Sequence, residues 1–240
     1  MAHLMDDILE KAETIANTPS IGPDEAAKFL STYRIQAAQK LQTDISCLKD
    51  LVVIVTNQIR YLNDAQLSDK ATAIAEWFIH TLHHLSESHP DCQIPKLQQV
   101  LRSSFAAFFR HYAKALRNVD RIEEMRLTMR NSMDLSPEIP MSVVFLIHLY
   151  MPLLERSEIE NIPAKRWISE RFAECLAVLD FAGMHDSPFR DGLDKFQLTL
   201  HYPEKISEFS QYLSKLAKDN PSDMPLQTLF NLYQTINHNA

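Results

Sequence analysis

The amino-acid sequence predicts an all-α protein, built as an irregular multi-helix bundle or a superhelix of antiparallel helical hairpins. Three observations carry this expectation. Glycine is scarce: Gly22, Gly183 and Gly192 are the only three in 240 residues, where ordinary usage would give about seventeen. A chain so poor in glycine lacks material for many β-hairpins or for phosphate-cradling loops, whereas helices need glycine only at their ends. Nearly every proline stands at or near the start of a helical segment, where its missing N–H costs nothing. Apolar residues recur at three- and four-residue spacing, the period of a one-sided helix.

The elements follow in order. Residues 3–17 form a short first helix. Gly22-Pro23-Asp24-Glu25 starts a second, with Gly22 as N-cap, Pro23 at the first helical position and acids in the first turn. Its pattern runs to about Asn63, with a break available at Thr43-Asp44 before Ile45. Ser68-Asp69 caps a helix through about Leu85, and His89-Pro90-Asp91 is a loop. Ile94-Pro95 opens a helix to about Asn118, with an extension to Met133 left open. Ser136-Pro137-Glu138 starts the next, ending near Arg156, with a kink after Tyr150 imposed by Pro152. Ile162-Pro163 begins a helix that Gly183 stops. Ser187-Pro188, Tyr202-Pro203 and Asn220-Pro221 mark three further starts. No fixed repeat period emerges, so a regular helical-repeat array is not expected. The expected organisation is one all-helical domain over 1–240, with the linker 131–140 as the place where two lobes would divide.

Composition narrows the function classes. The formal net charge is −7, which opposes broad nucleic-acid binding. Cys47, Cys92 and Cys175 are few and widely spaced, so reduced thiols in a cytoplasmic, reducing compartment are expected rather than a disulfide framework. The first residues carry neither the cationic nor the apolar region of a signal peptide. No apolar run reaches membrane-spanning length; Leu51 to Val55 and Val143 to Leu149 suit buried helix faces.

One helix shows how faces are assigned. Leu97, Leu101, Phe105, Phe108, Phe109, Tyr112 and Leu116 share one arc and read as core. On the other side Arg110, Lys114, Arg117 and Arg121 stand at i, i+4, i+7 and i+11, with Arg102 nearby; Arg126 and Arg130 extend the run if the helix persists. Residues 100–130 hold seven Lys or Arg against Asp120, Glu123 and Glu124. Such a ridge on an acidic chain suits an acidic protein partner, or else is a solvated face partly neutralised by neighbouring helices.

Histidines form two further groups. His80, His83 and His84 share one helix, with His89 and Cys92 after it. The i, i+4 pair His80/His84 has the spacing to ligate a metal from one helical face. No glutamate lies between them and no Glu-x-x-His occurs, so neither a zincin nor a di-iron pattern is present; Trp77, Leu82 and Leu85 read as packing residues.

His185-Asp186 forms the second group. With His148 upstream and Asp219 or Asp223 downstream, this pair resembles the metal-binding pattern of HD-domain phosphohydrolases, an all-helical family. The resemblance covers about the last hundred residues, and implies a divalent metal held by His148, His185 and Asp186 that activates water for phosphate-ester hydrolysis. Ser187-Pro188-Phe189 stands where that family has Ile-Gly. The same residues also serve a simple turn: Gly183 ending one helix, Met184 making an apolar contact, Ser187 capping the next and Pro188 opening it. Pro188-Phe189-Arg190-Asp191-Gly192 resembles part of the Fic-type AMP-transfer motif but lacks its preceding histidine and its following Asn-Gly-Arg. Asp6-Asp7-Ile8-Leu9-Glu10 has the spacing of a prenyl-diphosphate-binding motif, and equally that of an acidic first turn.

The leading expectation is a non-enzymatic helical adaptor or scaffold that presents helix faces to a protein partner, with Arg102, Arg110, Lys114, Arg117 and Arg121 as the contact residues and no cofactor. The alternatives are the metal-dependent phosphohydrolase using His148, His185 and Asp186, and nucleic-acid binding through the same ridge.

Overall fold

The structure is a computed structural model that describes residues 2–88, 94–136, 139–150, 158–159, 162–201 and 205–238. Almost all of these are helical, and the protein is all-α. The strand pairing among the described residues is a two-residue antiparallel contact, with Ile159 opposite Ile162 and Glu158 opposite Pro163. The chain divides into two compact units, Met1–Pro137 and Glu138–Ala240, and the division falls within the 131–140 segment.

The first unit contains α1 (Ala2–Ala16), α2 (Gly22–Leu41), a 3-10 turn (Ile45–Cys47), α3 (Leu48–Asp64), α4 (Ser68–Ser88), α5 (Ile94–Val100), α6 (Arg102–Asn118) and α7 (Ile122–Leu135). The break near Thr43-Asp44 is real: the Asp44 carboxylate accepts the Ser46 N–H at 3.0 Å and starts the 3-10 turn. The central helix is α3, with α1, α2, α4 and α6 packed around it. Leu51, Val52, Ile54, Val55, Ile59 and Leu62 are all buried, so α3 is apolar on most of its circumference, as a core helix must be. Gln58, also buried, donates to the Ala27 carbonyl of α2 at 3.0 Å. Glu13 of α1 accepts from Arg60 at 2.5 Å and from the Tyr61 hydroxyl at 2.6 Å.

The aromatic arc packs as expected over most of its length. Phe105, Phe108, Tyr112 and Leu116 are buried, and Phe108 meets Phe78 of α4 edge to face at 5.0 Å. The helix carrying them is shorter than the sequence suggests. At Leu101 the backbone leaves helical geometry (φ −101°, ψ 26°), separating α5 from α6. After Asn118 the chain does not run on to Met133. Asp120 adopts a left-handed conformation (φ 63°), while Asp120 N–H bonds Arg117 C=O and Arg121 N–H bonds Leu116 C=O. This paired closure is a Schellman motif, which terminates a helix. Helix α7 then folds back along α6, and Ser132 Oγ donates to the Ala106 carbonyl at 2.9 Å.

The second unit contains α8 (Ile139–Tyr150), the pairing of β1 (Glu158–Ile159) with β2 (Ile162–Pro163), α9 (Ala164–Phe181), α10 (Pro188–His201), α11 (Ile206–Asp219) and α12 (Met224–His238). Its core gathers Phe172, Phe189, Leu193, Phe196, Phe209, Leu213, Leu229 and Tyr233, with Phe196 stacked on Phe209 at 5.6 Å. Gly192, inside α10, lets that helix approach closely: a Cβ there would lie 3.3 Å from Leu226 and 3.5 Å from Leu213 and Leu229. The α9–α10 turn is built as the sequence indicates. Gly183 has φ +77°, Met184 N–H reaches back to Leu179 C=O, and Ser187 Oγ accepts the Arg190 N–H at 3.1 Å. Helix α12 starts three residues later than Asn220-Pro221 suggests, because Asp223 takes the capping role on Leu226 N–H at 3.0 Å. The loop His89-Pro90-Asp91, Cys92, the kink at Pro152 and the start at Tyr202-Pro203 lie outside the described residues.

Candidate interaction surface

The basic ridge is assembled differently from its sequence spacing. Arg102 is exposed at the start of α6, and Arg110 is half-buried on it. Lys114 Nζ lies 3.0 Å from Asp64 at the end of α3. Arg117 donates through Nε and Nη2 to Asn118 Oδ1 at 3.1 and 2.7 Å. Arg121 lies past the end of α6, where it bonds Glu76 of α4 and Glu124 of α7, each at 2.5 Å. The hydrogen bond from the Arg121 guanidinium holds the Glu124 carboxyl below its ordinary range. The chain turns back at Asp120, so Arg126 and Arg130 do not continue the run; Arg126 pairs with Glu123 at 3.0 Å on α7. Lys114 and Arg121 therefore lock α6 and its following turn onto α3 and α4, and partner charges from distant sequence neutralise much of the ridge.

The pattern that resembles the HD family does not assemble into a site. His148 is exposed on α8, with its ring 6.5 Å from Phe145. His185 sits in the α9–α10 turn, where its Nδ1 lies 3.4 Å from Asp180. Asp180 is chelated by Arg190 through two hydrogen bonds of 2.9 and 3.2 Å, and this guanidinium depresses its carboxyl first of all. Asp186 is exposed in the same turn. Among the described residues no group of three or more His, Cys, Asp or Glu is placed to share a metal ion. His148, His185 and Asp186 thus lack the convergence that metal-activated hydrolysis needs. The described thiols are not activated either. Burial raises Cys47, with the nearby Asp44 and Asp50 adding to the effect, and pushes Cys175 up to about 12.

A concave feature of the first unit lies between α2 and α4. Both helices pack on α3 and leave a groove of about 520 Å³ between them. Its walls are two facing stripes at helical spacing: Ile35, Ala38 and Gln39 from α2 with Gln42 just past its end, and Trp77, Thr81, His84 and Ser88 from α4, with Leu41 and Leu85 also lining it. The buried arc of α2 runs through Ala26, Ala27, Leu30, Ala37 and Leu41. Ile35 stands off that arc and is 52% exposed. At the Trp77 end, the Arg34 guanidinium stacks 4.5 Å from the indole centroid. Arg34 is half-buried, and its Nε has no hydrogen-bond partner. An apolar residue off the core face of α2 was the sequence signal for this groove. It stayed illegible because nothing local says that α4 lies alongside.

No family model, curated protein or solved structure matches this chain. Among the described residues no helix is long and apolar enough to cross a membrane.

Proposed function

We propose that the chain is a non-enzymatic helical adaptor whose α2/α4 groove receives an amphipathic helix of a protein partner, with an acidic partner residue opposite Arg34. The groove carries the reading. Ile35 to Gln42 spans about two helical turns, roughly 10 Å, which matches the i, i+3/i+4, i+7 anchors of helix-in-groove recognition. Trp77 supplies the kind of large, partly exposed aromatic ring that anchors interfaces. Arg34, the cation stacked on that ring, supplies the charge complementarity that favours a carboxylate at this end. This reading keeps the expected adaptor class and acidic partner, and moves the contact from the ridge, where Lys114 and Arg121 already hold carboxylates, to the groove.

The test uses a photo-crosslinking amino acid at Ile35, with Leu127 on α7, equally exposed at 52%, as the control position. The expected result is an adduct specific to Ile35 that maps to a helical partner segment. Binding of that purified segment should weaken at least about tenfold on Ile35→Glu, the scale of a lost anchor. Failure to form an Ile35-specific adduct, or affinity indifferent to Ile35→Glu, removes the proposal.

A further inference from the structure

The exposed face of α4 carries a second arrangement, independent of any protein partner. His80 and His84 are one helical turn apart, and their Nε2 atoms face each other at 3.2 Å. Two metal–nitrogen bonds of about 2.05 Å that span this distance enclose an angle of about 100°, close to tetrahedral or octahedral values. The second nitrogen of His84 is already placed: Nδ1 lies 3.1 Å from Glu87 Oε2. A carboxylate accepting the Nδ1–H leaves the Nε2 lone pair available, the arrangement that orients metal-binding histidines. Glu87 also reaches His83 Nδ1, at 3.3 Å, so the carboxylate is held from both sides.

We propose that His80 and His84 form a two-histidine site for a divalent transition ion of the zinc, nickel or copper class, with Glu87 as the positioning residue. Imidazole ligands select this class over magnesium or calcium, which need oxygen donors. An ion held between them takes both Nε2 lone pairs, which requires each ring's proton to stand on Nδ1. Among the described residues no third His, Cys, Asp or Glu joins the pair. His84 also lines the α2/α4 groove, which puts the ion at the groove wall.

Calorimetric titration of zinc chloride into the untagged full chain tests this. The expected result is one zinc per chain. His80→Ala and His84→Ala should each weaken binding at least tenfold, and Glu87→Gln by about tenfold, the scale of a lost outer-shell contact. His83→Ala, which removes one of the two contacts on Glu87, should weaken binding less than Glu87→Gln does. All four side chains are solvent-exposed and alanine suits a helix, so unchanged circular dichroism is expected for every variant. Absence of one-to-one binding, or affinity that survives both His80→Ala and His84→Ala, overturns the proposal.

Discussion

Replacing Phe78 by alanine tests the core of the first unit most directly. The ring is fully buried on α4, 5.0 Å from Phe108 and 6.2 Å from Phe105, both on α6. Truncation loses the transfer energy of the ring, its aromatic contacts and the packing around a new cavity, together about 3–5 kcal/mol. A unit of this size has a total stability of about 7–20 kcal/mol, so the loss is a large fraction of it. With an unfolding entropy near 2.1 cal/mol/K per residue, the melting temperature should fall by about 10–17 °C. Trp77 is adjacent in sequence, and Trp167 is the only other indole. Urea denaturation followed by fluorescence in a Trp167→Phe background therefore reports the first unit alone. The midpoint should drop with little change in slope. A loss below about 1 kcal/mol would falsify the placement of Phe78 between α4 and α6, because a ring at a solvated edge costs no more than that.

Three further outcomes follow from local features. Burial, reinforced by Arg110, Arg60 and Lys114, pushes the His111 imidazole down to about 4 from an ordinary 6.5. The unfolded chain then binds a proton that the folded chain refuses, so stability present above about pH 6.5 is lost progressively down to about pH 4. The ring keeps some solvent contact, which holds this loss under about 3 kcal/mol. His111→Gln should flatten the stability profile in that window, and an unchanged slope in urea melts at stepped pH would refute the assignment. In the α9–α10 turn, Ser187→Ala should cost about 1 kcal/mol through the lost cap. Gly183→Ala should cost about 1–2 kcal/mol through the left-handed backbone alone, because no atom lies within 4 Å of the added methyl. Equal stability of either variant in thermal melts would show that the turn is not held in this form.

The legible parts of the fold are those governed by neighbours in sequence. Proline, glycine and capping side chains act within four or five residues, so the start of α2, the Asp44 break and the whole Gly183–Pro188 turn could be read directly. The end of α6 was only half legible. Asp120 adopts a positive φ less readily than glycine does, so its sequence does not force the stop that the Leu116 and Arg117 carbonyls complete. Ile35 could be read as apolar, but not as a groove wall.

The sequence alone therefore determined the helical class, most helix starts, the buried aromatic arc and the i, i+4 placement of His80 and His84, because each follows from short-range periodicity and capping chemistry. Tertiary structure alone decided which charges and faces meet. Lys114 finds Asp64 fifty residues away, Arg121 finds Glu76 forty-five residues away, and His148 is not brought together with His185 and Asp186 at a shared metal site. Packing around α3 also sets the stripe of α2 across from that of α4. Such contacts depend on how whole helices pack, and a helix's own pattern specifies which face is buried but not which neighbour covers it.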